Sequence, residues 1–323
     1  MFPWQKKQWQ QLWRSEEADR LAHALLFAGS AGIGKTQFAH HFIKALLCQH
    51  RKMADNSACE HCHTCRLMKG RAHPDVLCIE PEKEGQAIKV DQIRELSEFV
   101  YQSALKGNKR IVVITPADAL NANAANALLK TLEEPALGTY IILISHQAQS
   151  LPATVLSRCQ RILFPLPNKT EVLPWLKKAL PNETDIELLL RLANGAPLTA
   201  VQCLQDDHLI LRKTLFAALL LLSQKKESPL QLAASLQQAQ PLKLIDFMLT
   251  WMMDLIRLQV GCEDIINQDY LKSLLTLTHV HFLQQQASFM VYLQQLRVQL
   301  IQGIHLNKQL LLESMLIRWM ECC

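Results

Sequence analysis

Two stretches of the chain carry residue types whose spacing implies chemistry. The first, Gly29-Ser30-Ala31-Gly32-Ile33-Gly34-Lys35-Thr36, fits G-x-x-x-x-G-K-[ST] in full. Gly29, Gly32 and Gly34 let backbone N–H groups converge on phosphate oxygens, Lys35 reaches the outer phosphates, and the Thr36 hydroxyl is placed to ligate magnesium. The second, Cys59-Glu60-His61-Cys62-His63-Thr64-Cys65, is a C-x2-C-x2-C run with Cys48 eleven residues upstream. Two-residue gaps let consecutive thiolates turn back on one ion, and four thiolates suit closed tetrahedral zinc coordination. Cys48, Cys59, Cys62 and Cys65 are the expected ligands, with His50, His61 and His63 as alternative donors. No acid or base is arranged around an open coordination position, so the expected role of the zinc is structural.

Turning over ATP requires more than a phosphate loop. An acid at the end of a second strand must hold magnesium, and a carboxylate must orient the attacking water. The candidate strand Ile111–Ile114 runs into Thr115-Pro116-Ala117-Asp118, so Pro116 and Ala117 occupy the places where an acid pair is needed. Asp118 is either an offset magnesium partner or a cap of the next turn. ATP with magnesium is therefore expected to bind more readily than it is hydrolysed. Ser145 ends a later strand with a hydroxyl side chain. Arg158, in Leu156-Ser157-Arg158-Cys159-Gln160, either projects onto a neighbour's γ-phosphate or makes a surface ion pair.

The elements that must position these residues follow from periodicity. Ala24–Ala28 is an apolar run entering the glycine loop, and Gln37–Cys48 has helical spacing in Phe38, Phe42, Ala45 and Leu46. Beyond the cysteines, strands are expected at Val76–Ile79, Ile111–Ile114 and Tyr140–Ile144. They alternate with helices at Val90–Ala104 and Asn121–Glu133. This rhythm predicts a mostly parallel sheet covered on both faces, ending near Phe164. Pro165 and Pro167 punctuate the chain, and helical spacing follows, with a break at Asn194-Gly195-Ala196-Pro197. Later helices are predicted near 209–224, 242–260, 268–301 and 307–321. No repeat of fixed period is seen.

Composition narrows the class. The chain has 323 residues, 49% of them hydrophobic and 20% charged, ample for two or three folded units. A net charge of +5 is too small to imply nucleic-acid binding by itself. No run reaches the roughly 18 charge-free apolar residues a membrane helix needs. Met1-Phe2-Pro3-Trp4-Gln5-Lys6-Lys7 leads into polar residues, so no secretory signal is read and a cytoplasmic address is expected.

Taken together, these residues resemble the bacterial DNA polymerase III clamp-loader family of AAA+ proteins. The phosphate loop, the C-x2-C-x2-C insertion, Ala127-Leu128-Leu129-Lys130-Thr131-Leu132-Glu133-Glu134-Pro135 and Ser157-Arg158-Cys159 stand in the family's order. A weaker likeness continues at Gly195-Ala196-Pro197 and Leu306-Asn307-Lys308-Gln309-Leu310-Leu311. The resemblance implies a RecA-like α/β AAA+ domain over 1–166 with a zinc-binding insertion at about 48–66. A small helical lid at 167–207 and an all-α collar at 208–323 complete the plan. In the family's motor subunits, gamma and tau, a DE pair follows the second strand and a sensor arginine stands near the position of Pro197 and Leu198. Both are absent here, which points to the family's stator, whose SRC arginine, here Arg158, serves the ATP site of an adjacent subunit. By this resemblance the partners are gamma/tau and delta subunits in a hetero-pentameric ring. Sliding clamp and primed DNA are met through that complex, an accessory assembly of a DNA-directed DNA polymerase. By the same resemblance Ser145, at the end of the strand that carries the family's first sensor, either touches a γ-phosphate or is a strand-terminal hydroxyl. The competing expectation is an active AAA+ motor that uses its own loop.

Overall fold

Five short strands build the first half of the protein. Ala24–Ala28 (β1), Val76–Ile79 (β2), Arg110–Ile114 (β3), Thr139–Ser145 (β4) and Gln160–Leu163 (β5) pair in parallel in the order β2-β3-β4-β1-β5. The computed structural model describes residues 1–70, 72–83, 85–102, 109–182, 185–205, 208–278, 283–301, 304 and 306–322. Every residue of β1 and β3 is buried, as expected of parallel strands covered on both faces. Successive side chains alternate between two cores. Leu25, Phe27, Ile111, Val113, Ile142 and Ile144 pack with Leu12 and Trp13 of the helix Lys6–Glu17 (α1) and with Phe38 and Phe42 of Lys35–Leu47 (α2). Leu26, Val112, Ile114, Ile141 and Leu143 pack with the helices Val90–Tyr101, Ala122–Glu133 and Ala153–Leu156.

In chain order, the short helix His63–Lys69 is α3, Val90–Tyr101 is α4, Ala122–Glu133 is α5 and Ala153–Leu156 is α6. From β1 the chain crosses through α2 to β2 at one edge of the sheet, whereas from β4 it crosses through α6 to β5 at the other edge. The connections diverge at β1 and β4, and ligands of such sheets bind in the crevice beyond the carboxyl ends of these strands. Gly29 and Ser145 sit at those two ends. Asn121 caps α5 by accepting from the Ala124 N–H at 2.8 Å, so the helix starts one residue after the expected Asn121. Helix α4 stops at Tyr101, and the predicted end at Ala104 lies outside the described residues.

The chain divides into two compact units, Met1–Trp175 with Ala196–Thr199, and Leu176–Gly195 with Ala200–Cys323. Among the described residues, the remaining helices are Lys169–Ala179 (α7), Ile186–Leu192 (α8), Pro197–Gln205 (α9), His208–Ser223 (α10), Pro229–Ser235 (α11), Pro241–Gln259 (α12), Leu271–Thr278 (α13), Leu283–Ile301 (α14) and Lys308–Cys322 (α15). The boundary predicted at 207 lies outside the described residues, as do 279–282, within the run predicted as one helix over 268–301. Among the described residues, no helix is long and apolar enough to cross a membrane.

The second unit has an all-helical core around the buried Trp251 and Trp319. It also buries a polar knot. Arg212, 1% exposed, donates to Asn267 at 2.7 Å and to both oxygens of Asp269, at 2.6 and 2.8 Å, with its guanidinium over the Tyr270 ring. Asp254, fully buried, accepts from the Ile266 N–H, the Asn267 N–H and the Asn267 side-chain amide at 2.7–3.0 Å. These bonds fasten the connection between α12 and α13. Asp254→Ala strands the two buried Asn267 donors and the half-buried Ile266 N–H and is expected to destabilise the fold by about 3–5 kcal/mol, read by chemical denaturation.

Candidate functional site

The glycine loop leaves β1 in a conformation its residues require. Gly34 has φ +88°, and a Cβ there would lie 2.5 Å from the Phe2 ring. A Cβ on Gly29 would meet the Phe164 carbonyl oxygen at 2.1 Å. The N-terminal segment supports the loop from outside. Trp4 Nε1 donates to the Ile33 carbonyl at 3.0 Å, and Gln5 Nε2 donates to the carbonyls of Ile33 and Gly34 at 3.1 and 2.9 Å. Phe2 stacks on Trp4, and both meet Trp175 edge-on. Gly32 accepts from the Leu198 N–H at 2.9 Å. Thr36 is the second residue of α2, at the positive end of that helix.

Lys35 is buried, and its ammonium donates to the carbonyls of Gly29 and Ser30, both at 2.6 Å. His146 Nδ1 lies 2.9 Å away. Burial pulls the Lys35 pKa down to about 8, against the opposing pull of Asp118. Burial, and then Lys35 itself, holds the His146 imidazole below its usual range. A neutral imidazole can accept a hydrogen bond from the Lys35 ammonium at Nδ1, the arrangement in which Nε2 carries the ring hydrogen.

Asp118 lies in a single turn, Ala117–Ala119, directly after β3. One oxygen accepts the Ser145 hydroxyl at 2.6 Å, the Gln147 N–H at 3.3 Å and the Ser150 hydroxyl at 3.5 Å, and the other accepts the His146 N–H at 2.6 Å. The carboxylate is therefore engaged with the segment that follows β4. Ser145 is fully buried and its hydroxyl is committed to Asp118, so His146 is the side chain at the end of β4 that faces the phosphate loop.

Arg158 follows α6 on the turn into β5. Its Nε donates to Glu133 at 2.7 Å and its Nη1 to the Thr154 carbonyl at 2.9 Å and the Ser157 hydroxyl at 3.2 Å, while Nη2 pairs with the same Glu133 oxygen. The guanidinium is held at the surface by the last residue of α5, with the Arg158 side chain 34% exposed. Lys130, one turn earlier on α5, is exposed.

The four cysteines converge. Their sulfurs all lie within 4.8 Å of one another, with Cys48 3.9 Å from Cys62 and 3.7 Å from Cys65, and Cys59 3.9 Å from Cys65. Tetrahedral bonds of about 2.3 Å to one zinc would set sulfurs roughly 3.8 Å apart. These separations are far longer than a disulfide of about 2.05 Å. Backbone N–H groups of Cys62 and His61 bring the Cys59 thiol down to about 6, whereas burial pushes Cys65 and Cys48 up. A bound cation is what lets all four ionise together, so the donor set fits a metal ion. His50, His61 and His63 are exposed and stand outside the sulfur cluster. The insertion is anchored to α1. Trp9 Nε1 donates to the Asp55 carbonyl at 2.8 Å, and Arg51 pairs with Glu16 while stacking over Trp13.

A family model described as DNA polymerase III, delta subunit, matches residues 4–168, and one for the C-terminal part of that subunit matches residues 206–321. A DNA polymerase III subunit delta' from Pseudomonas aeruginosa is 36% identical over 323 residues, covering 99% of this chain and 97% of that protein. Those of Yersinia pestis and Escherichia coli are 32% and 30% identical, over 98% of this chain each and 95% and 94% of their own lengths. The chain belongs to the delta-prime family of DNA polymerase III. Its five-stranded parallel sheet with the phosphate loop after β1, and its all-helical C-terminal region, form the α/β AAA+ architecture that the motifs imply. The first family match spans the phosphate loop, the cysteine cluster, Asp118 and Arg158. His146 and Glu133 are residues of the site to which sequence reasoning gave no role. The available signals were the position of His146 next to Ser145 and of Glu133 within the Leu-Glu-Glu-Pro motif.

Proposed function

We propose that the chain is a stator of the bacterial clamp loader, acting in the ATP-driven loading of the sliding clamp onto primed DNA. Arg158 supplies its guanidinium to the ATP site of a neighbouring gamma/tau subunit. The single observation carrying this reading is the engagement of Asp118, whose two oxygens accept from four groups on residues 145–150. With Pro116 and Ala117 before it, no acid at the end of β3 is left to hold magnesium or steer water. The loop Gly29–Thr36 holds nucleotide without turning it over, with Lys35 exchanging its two carbonyl acceptors for phosphate oxygens and His146 facing the outermost phosphate. Ser145 supports that histidine through Asp118.

Cys48, Cys59, Cys62 and Cys65 bind a structural zinc that pins the insertion to α1 and α2. The helices beyond about residue 208 serve as the collar, joining gamma/tau and delta subunits in a hetero-pentameric ring, and residues 167–207 serve as the lid. Exposed apolar side chains on α14 and α15, among them Val291, Val298, Leu310 and Ile317, suit contacts between subunits.

The purified chain alone is expected to show negligible ATPase activity with or without primed DNA, and Lys35→Ala should leave that baseline unchanged. Steady-state phosphate release measures both. Robust turnover by the isolated chain that disappears in Lys35→Ala would establish the motor reading instead.

A further inference from the structure

Asp118 sits on a firm platform. Its turn follows fully buried β3, the Ile88 N–H donates to the Ala119 carbonyl at 2.7 Å, and Leu120 bridges to Ile88 before Asn121 opens α5. The segment it grips is the sole covalent route from β4 to Arg158. All four groups that Asp118 accepts from lie within residues 145–150, at the start of that route. Leu151 and Val155 are buried farther along it, and Glu133 holds the guanidinium at its far end. One continuous stretch, from the turn at Ala117–Ala119 through α5, thus clamps the Arg158 segment at both ends.

We infer that Asp118 is a positioning residue for Arg158, an acid displaced from the metal-binding place and used to set the path from β4 to the arginine. The inference rests on the stator reading proposed above. Removing the carboxylate leaves the Ser145 hydroxyl and the His146 and Gln147 N–H groups without their acceptor, so the 145–150 turn keeps its internal bonds from Ser150 to the Gln147 carbonyl and loses those that tie it to the Ala117–Ala119 turn. Buried Leu151 and Val155 keep α6 on the sheet, and the expected consequence is a shift of the arginine, not loss of the domain. A misplacement of about 1 Å at a reacting centre costs on the order of a hundredfold in rate.

The test compares reconstituted loaders carrying Asp118→Ala, Asp118→Asn, Arg158→Ala and the double variant Asp118→Ala/Arg158→Ala. Single-turnover ATP hydrolysis and ATP affinity at the neighbouring site are the readouts. Asp118→Ala is expected to slow hydrolysis by about ten- to a hundredfold with ATP affinity unchanged. Asp118→Asn, which keeps one acceptor oxygen, should lose less. The double variant should be no slower than Arg158→Ala, because Asp118 acts only through the arginine. If Asp118→Ala does not fold, Ser145→Ala removes the 2.6 Å bond alone and should show the same pattern at smaller size. Normal hydrolysis in the Asp118 variants, alongside a slow Arg158→Ala, overturns the inference and leaves the stator reading standing. Multiplying losses in the double variant overturn it equally. Normal hydrolysis in Arg158→Ala removes the stator reading, and the inference with it.

Discussion

Arg158→Ala in an assembled loader is expected to slow ATP hydrolysis at the adjoining subunit's site by about 10³-fold, the lower end of the range for an arginine finger. Assembly should survive, because the side chain is partly exposed and its partners Glu133 and Thr154 remain on well-packed elements. Arg158→Lys should rescue little. A lysine is a point charge and cannot reproduce a planar fork whose Nε and Nη2 hold Glu133 while Nη1 bonds the Thr154 carbonyl and the Ser157 hydroxyl. The ion pair to Glu133 is the surface contact that the sequence allowed for, and it is compatible with the role proposed for Arg158 at a neighbour's site. Such a half-exposed pair contributes little to stability, so its main effect is to restrict where the guanidinium can point. Rapid-quench measurement of the first turnover resolves the loss at one site from the activity of the others.

Metal removal has the other large expected effect. One zinc per chain is expected in purified protein, and Cys65→Ser should abolish stoichiometric retention. Structural zinc sites of this kind bind with roughly 10–16 kcal/mol, which becomes folding free energy for the segment they close. Here that segment is part of the first core, because Cys65 is 1% exposed and Cys48, Cys59 and Cys62 pack against the cluster containing Phe38 and Phe42. Chelation should therefore lower the melting temperature of the whole first unit and loosen the Trp9 and Arg51 contacts to the insertion. Atomic absorption with thermal unfolding, before and after chelator, measures this. A metal-free protein with an unchanged melting curve would contradict it.

The site was legible in the sequence where the chemistry is local. The phosphate loop and the cysteine run are each contiguous, and spacing alone brings their atoms near one ligand. Strands β1, β3 and β4 are apolar runs bounded by turn residues, so they too stand out. The elements that escaped include the short helices α3, α6 and α11, and with them α1 and β5. In α1 the apolar residues are only Trp9, Leu12 and Trp13 among polar ones, although their i, i+3, i+4 spacing is the signal of a buried stripe. Gln5 and Gln8 are also buried around that stripe because they reach the glycine loop and the Leu163 carbonyl, contacts that no local pattern reveals. In β5 only Ile162 is buried, so Gln160–Leu163 carries neither alternation nor an apolar run.

The roles of Asp118 and Arg158 were ambiguous in sequence for the same reason. Asp118 takes its partners from 27 to 32 residues away, and Arg158 meets Glu133 across 25 residues. Sequence alone left Asp118 as either a magnesium partner or a cap. The fold makes it an acceptor for a distant turn, which is a tertiary property set by the pairing of β3 with β4.

The central claim is that the decisive chemistry of this chain lies in Arg158 and not in its own phosphate loop. Parallel first-turnover assays of loaders reconstituted with Lys35→Ala or Arg158→Ala test it most directly. Slow hydrolysis at the neighbouring site with Arg158→Ala, and undiminished hydrolysis with Lys35→Ala, is the predicted result. Loss of hydrolysis with Lys35→Ala and normal hydrolysis with Arg158→Ala would contradict it.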